Sequence, residues 1–134
     1  SSSGSAKKWI ELTRHREAGA MIDGLRASGM QIVGTGFGPA ARPVMDIDFT
    51  RPTAVILGNE HRGMDPDVKA HVPDEIYIPM FGMVQSLNVS VAAAVILYEA
   101  MRQRRAAGMY GQSALDGEGF EAVYADWCTR GKDY

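Results

Sequence analysis

Apolar residues recur along this chain at two spacings. In residues 16–28 (REAGAMIDGLRAS), Ala18, Met21, Ile22 and Leu25 share one helical face, and Gly29 supplies a C-terminal stop. Met30 to Thr35 (MQIVGT) reads as a short strand, and residues 36–52 as loop broken by Pro39, Pro43 and Pro52. Thr53 to Leu57 (TAVIL) is a continuous apolar run, the pattern of a strand covered on both faces in a parallel sheet. A short helix is predicted over 65–71, with Asp65 as N-cap and Pro66 at the first helical position. Glu75 to Met80 (EIYIPM) is a third strand, ended by Pro79. Residues 88–107 form the longest helix. Residues 117–130 form a last, amphipathic one, with Phe120, Val123, Tyr124 and Trp127 at 3/4 spacing. Strands alternating with helices predict an α/β domain with a mostly parallel sheet.

One stretch departs from plain patterning. IPMFGMVQSLNVSVAAAVILYEA (78–100) sets Pro79, Gly82 and a cluster of small polar residues between two apolar runs, and contains no His, Cys or basic residue. Such a hinge serves either as a strand-to-helix turn or as the floor of a binding site. Polar caps at a helix start favour the first, and the unpaired N–H groups there favour the second.

Composition narrows the classes. With 134 residues, 46% hydrophobic and 22% charged, the chain has the make-up of one ordinary globular domain. A formal net charge of −2 excludes a strongly basic body, so any nucleic-acid contact must come from a local patch. The single cysteine, Cys128, cannot form an intrachain disulfide, which fits a reducing cytoplasmic setting. No apolar run approaches the roughly 20 residues that span a bilayer, and SSSGSAKKW lacks the apolar segment of a signal peptide.

Most signals for familiar chemistry fail on inspection. VGTGFG (33–38) suggests a dinucleotide fingerprint, but Pro39 stands at the third-glycine position and AARPVMDID is no helix. It reads better as a loop at a strand's C-terminal end, the edge where ligands sit in open parallel sheets. His15, His61 and His71 have no metal-ligand spacing, and no metal site is expected. Ser86 lies in no nucleophile elbow. The Arg102/Arg104/Arg105 cluster is either a solvated helix end or a phosphate contact. Two stretches remain: LGNEHRGM (57–64), which sets Glu60 on a turn permitted by Gly63, and MVQSLNVSV (83–91), which brings Gln85, Ser86 and Asn88 to the start of the long helix.

Those two stretches resemble motifs of the SPOUT methyltransferases, specifically the TrmH-type tRNA ribose 2'-O-methyltransferases. IPMFGMVQSLNVSVAAAVILYEAMRQRRAAGMY (78–110) is close to that family's signature along its whole length. FTRPTAVILGNEHRGM (49–64), GMQIVGTGF (29–37) and ALDGEGFEAVYADW (114–127) extend the similarity over nearly the entire chain. The resemblance implies an α/β knot fold with a C-terminal trefoil knot, a cytoplasmic homodimer, and S-adenosylmethionine held in the knot. It implies cofactor contacts around Thr35, Gly58, Ile78 and Leu87, with Met80 beside them. Glu60, Ser86 and Asn88 match positions of the cofactor and catalytic pocket, and Arg102 and Arg104 match basic positions suited to RNA phosphates. The implied reaction moves the sulfonium methyl to a ribose 2'-hydroxyl of tRNA, a D-loop guanosine being the expected target. A ribosomal RNA enzyme and a non-catalytic knot-fold module that binds RNA or a protein partner are the rival readings.

One family motif has no counterpart here. An Asn followed by the Arg thought to assist hydroxyl deprotonation normally lies upstream of a stretch like SSSGS. The expectation is therefore a single catalytic domain over 1–134, incomplete at its N-terminus, with 111–134 as a C-terminal helical extension. Such a piece would keep most of the cofactor site and transfer methyl poorly by itself.

Overall fold

A computed structural model describes residues 9–59, 62–82 and 87–130. The elements run α1 (Ala18–Ala27), β1 (Gln31–Thr35), β2 (Arg42–Pro43), β3 (Thr53–Ile56), α2 (Pro66–Lys69), β4 (Asp74–Tyr77), α3 (Val89–Ala106) and α4 (Gly117–Arg130). The four strands form one sheet in the order β2-β4-β1-β3, and every pairing is parallel. The expected α/β class and parallel sheet are therefore present.

The chain divides into two compact units. Arg16–Met109 holds the whole sheet with α1, α2 and α3. Apolar side chains cover both faces of that sheet, as the unbroken TAVIL run requires. On one face Val33, Ile76 and Val55 pack with Val44, Ile47, Phe49 and, from α3, Ile96. On the other, Ile32, Ala54 and Ile56 meet Ile22 of α1, Met64 and Val72. The second unit comprises residues 1–15 and 110–134. Within it Asp116 caps α4 by accepting from the Gly119 N–H at 2.6 Å, and Trp9 and Trp127 meet edge to face at 5.5 Å.

Three local expectations need correction. The third strand ends at Tyr77 rather than Met80, because its partners run out: Thr35 lies opposite Ile76, and Pro43 lies opposite Tyr77. The stretch 36–52 is not all loop, since Arg42–Pro43 adds an edge strand. The short helix covers 66–69 instead of 65–71, though Asp65 caps it as expected by accepting from the Asp67 N–H.

The C-terminal half of α3 is fastened to the chain that precedes β3. Gln103 accepts from the Phe49 N–H and donates to the Ile47 carbonyl, both at 2.9 Å. Arg104 donates to the Phe49 carbonyl at 2.8 Å and the Arg51 carbonyl at 3.3 Å. These bonds satisfy backbone groups beside the buried Phe49 ring, where an unpaired group would be costly.

Candidate functional site

β1, β3 and β4 are parallel, so their C-terminal ends emerge along one edge of the sheet, where ligands bind in open α/β folds. A cavity of about 210 Å³ lies at that edge. Thr35, Gly36 and Phe37 line it after β1, Leu57, Gly58 and Asn59 after β3, and Tyr77, Ile78 and Met80 after β4. Leu87, Val89, Ala92 and Ile96 close it from the start of α3. No described lining residue is charged.

Local chemistry fixes this rim. The Gly58 N–H donates to the Thr35 hydroxyl at 3.0 Å, joining the ends of β1 and β3. Asn59 and Gly63 exchange two backbone hydrogen bonds of 2.8 Å, closing a tight turn in which Gly63 adopts φ 67°. That left-handed conformation favours glycine. The turn folds back onto Gly58 so closely that a Cβ there would stand 2.5 Å from the Gly63 carbonyl carbon.

Thr35, Gly58, Ile78, Met80 and Leu87, five positions spread over 53 residues of sequence, all line this one cavity. Glu60 and Ser86, with Gln85 and His61, lie outside the described residues. Asn88 is the N-cap of α3, its Oδ1 accepting from the Ser90 N–H at 2.8 Å. Arg102 is exposed and paired with Glu99 at 2.8 Å. Hydrogen bonds from Arg102, and then from Gln103, hold the Glu99 carboxyl at a pKa of about 2. Arg104 donates from two of its guanidinium nitrogens to the Phe49 and Arg51 carbonyls.

Sequence reading passed over Phe37 and Tyr77, whose rings lie 6.3 Å apart, and over Glu75 behind the 36–38 loop. The only sequence signal for them was their position next to strand ends.

Residues 1–98 match the SpoU rRNA Methylase family. This chain belongs to that family. The SpoU relatives include the tRNA (guanosine(18)-2'-O)-methyltransferase of Thermus thermophilus, 44% identical over 128 residues, covering 96% of this chain and 66% of the relative. Among solved structures, the A. aeolicus TrmH/SpoU tRNA modifying enzyme superposes with a TM-score of 0.86 at 34% identity, over 97% of this chain and 66% of that one. The SpoU methyltransferase AviRb from Streptomyces viridochromogenes, solved in complex with the cofactor AdoMet, gives a TM-score of 0.56 at 38% identity, over 65% of this chain and 35% of that one. The chain spans about half to two thirds of the length of the first curated relatives it matches.

Proposed function

We propose that this chain is the cofactor-holding part of an S-adenosylmethionine-dependent tRNA ribose 2'-O-methyltransferase acting on a D-loop guanosine. The observation that carries the reading is the convergence of Thr35, Gly58, Ile78, Met80 and Leu87 on one cavity at the C-terminal edge of a parallel sheet. The names of the Thermus and A. aeolicus proteins support tRNA as the substrate class.

The described lining fits the adenosyl part of that cofactor. Apolar side chains suit a flat ring, and main-chain groups at three strand ends can read its polar edge without a signature side chain. When bound, the cofactor supplies an activated methyl group, so little covalent chemistry falls to the protein. The protein's part is alignment. Thr35 and Gly58 tie two walls together, the Asn59–Gly63 turn braces the wall after β3, and Asn88 sets the direction in which α3 leaves the cavity. Glu60, Ser86 and Asn88 are proposed to serve the reacting hydroxyl, and Arg102 and Arg104 to meet RNA phosphate.

The finer family features belong to the same proposal: a trefoil knot formed by the stretch through 78–110, a cytoplasmic homodimer, and one catalytic domain with 111–134 as its helical extension. The exposed apolar residues Val91, Val95, Leu97 and Tyr98 on α3 support a partner surface.

The test uses the full-length protein, methyl-labelled S-adenosylmethionine, and unmodified tRNA and 23S rRNA transcripts, with mass spectrometry of the digested RNA. The reading predicts 2'-O-methylguanosine in the tRNA D-loop. Label in the rRNA transcript alone would move the substrate to the ribosome, and no label in either RNA would refute methyl transfer.

A further inference from the structure

Glu75 is a carboxylate inside the α/β unit with no part in the chemistry above. It sits on β4 with its side chain 14% exposed. One oxygen accepts from the Gly38 N–H at 3.2 Å, and the other pairs with the Lys69 ammonium at 2.9 Å. The hydrogen bond from Lys69 is the main cause of a carboxyl pKa held below its usual 4.5.

The loop over this carboxylate is built around it. Gly36 donates its N–H to the Ile76 carbonyl at 3.0 Å, continuing the β1–β4 ladder. A Cβ on Gly36 would stand 1.8 Å from the Glu75 carboxylate, and one on Gly38 would stand 3.0 Å from it. The backbone therefore lies directly against the carboxylate, and Phe37, carried between the two glycines, is presented at the cavity rim while 71% exposed. A ring this exposed gains little from burial beyond its contact with Tyr77, so the loop's anchor carries much of its placement. Lys69 extends the connection, because it closes α2, the helix that follows the Asn59–Gly63 turn on the cavity's other side.

We propose that Glu75 is a positioning residue: it clamps the 36–38 loop and ties it through Lys69 to α2, which follows the Gly63 side of the cavity, so that both walls keep the spacing a planar purine ring requires. This rests on the cofactor reading above. Wall positions held to a fraction of an ångström set affinity, and loosening one wall lowers it about tenfold.

The experiment compares wild type, Glu75→Ala, Glu75→Gln, Gly36→Ala and the Gly36→Ala/Glu75→Ala double variant of the full-length protein. Calorimetry with S-adenosylhomocysteine is done where circular dichroism shows every variant folded, and amide exchange of residues 36–38 is followed without ligand. Glu75→Ala should bind about tenfold more weakly and exchange faster at 36–38, while Glu75→Gln, which keeps the acceptor for Gly38 but loses the ion pair, should lose about threefold. Gly36→Ala collides with the carboxylate, so removing that carboxylate should restore part of its lost affinity.

Unchanged affinity and exchange in Glu75→Ala, with only a lower melting temperature, would reduce Glu75 to a stabilising ion pair and overturn the proposal. Additive losses in the double variant would overturn it too. If wild type itself fails to bind S-adenosylhomocysteine, the cofactor reading falls, and the ligand-free exchange data still decide whether Glu75 holds the loop.

Discussion

Gly58 joins the fold to the site through backbone contact. Replacing it with alanine adds a Cβ 2.5 Å from the Gly63 carbonyl carbon, 2.6 Å from the Met64 nitrogen and 2.8 Å from the Gly63 carbonyl oxygen. All three are backbone atoms, so no side chain can swing aside. Ordinary contact begins near 3.4 Å, so the Gly63–Met64 backbone must retreat by about 0.9 Å, straining a close-packed wall. Overpacking of this kind costs about 1–3 kcal/mol, and the Gly58–Thr35 hydrogen bond puts about 1 kcal/mol more at risk. For a unit of this size that is a melting temperature lower by roughly 5–15 °C. The displaced wall belongs to the cavity, so S-adenosylhomocysteine should bind about tenfold more weakly by calorimetry in the variant that remains folded. Gly82→Ala is the control, because a Cβ there meets nothing within 4 Å among the described residues, and it should match wild type in both assays. A Gly58→Ala protein with wild-type melting and wild-type affinity would refute the argument.

The two helix arginines should separate in their effects. Arg104→Ala removes donors to two backbone carbonyls and should lower the melting temperature by about 4–8 °C, whereas Arg102→Ala removes only the surface pairing with Glu99 and should lower it by less. If Arg102 meets phosphate, its loss should instead reduce the salt dependence of tRNA binding by a slope of about 1 in a titration series. Asn88→Ala should cost about 1 kcal/mol in thermal unfolding through the lost cap, while Asn88→Ser keeps the cap and the stability. Methylation by Asn88→Ser at the wild-type rate would remove Asn88 from catalysis. Glu99 has a folded pKa depressed from 4.5 to about 2, so its stabilising pairing is complete above the unfolded value and is lost as pH falls from 4.5 towards 2. The melting-temperature gap between wild type and Glu99→Gln should therefore be constant above pH 5 and shrink below it.

Local chemistry made much of this fold legible. Asp65-Pro66 marked a helix start, Gly29 a stop at φ 92°, and the unbroken Thr53–Ile56 run a strand packed on both faces. What escaped was set by partners far along the chain. Two residues with a proline, Arg42–Pro43, carry no strand pattern and pair only because β4 offers an edge. Nothing within EIYIPM shows that pairing stops at Tyr77, since the stop lies in β1 and β2. The backbone bonds of Arg104, one of the Arg102/Arg104/Arg105 cluster, were invisible because its acceptors, the Phe49 and Arg51 carbonyls, lie more than fifty residues away. The cavity positions were named by likeness to a family, and bottom-up reasoning supplied only their common address at strand ends. Phe37, Tyr77 and Glu75 had no motif at all, and emerged only when parallel strands brought them together.

The central claim is that this cavity holds S-adenosylmethionine. Titration of ¹⁵N-labelled full-length protein with S-adenosylhomocysteine, followed by amide chemical shifts, tests it most directly. The account predicts saturable shifts concentrated at Thr35, Gly58, Ile78 and Leu87, with the middle of α1 unmoved. Saturable shifts centred elsewhere, or none at millimolar ligand, would contradict it.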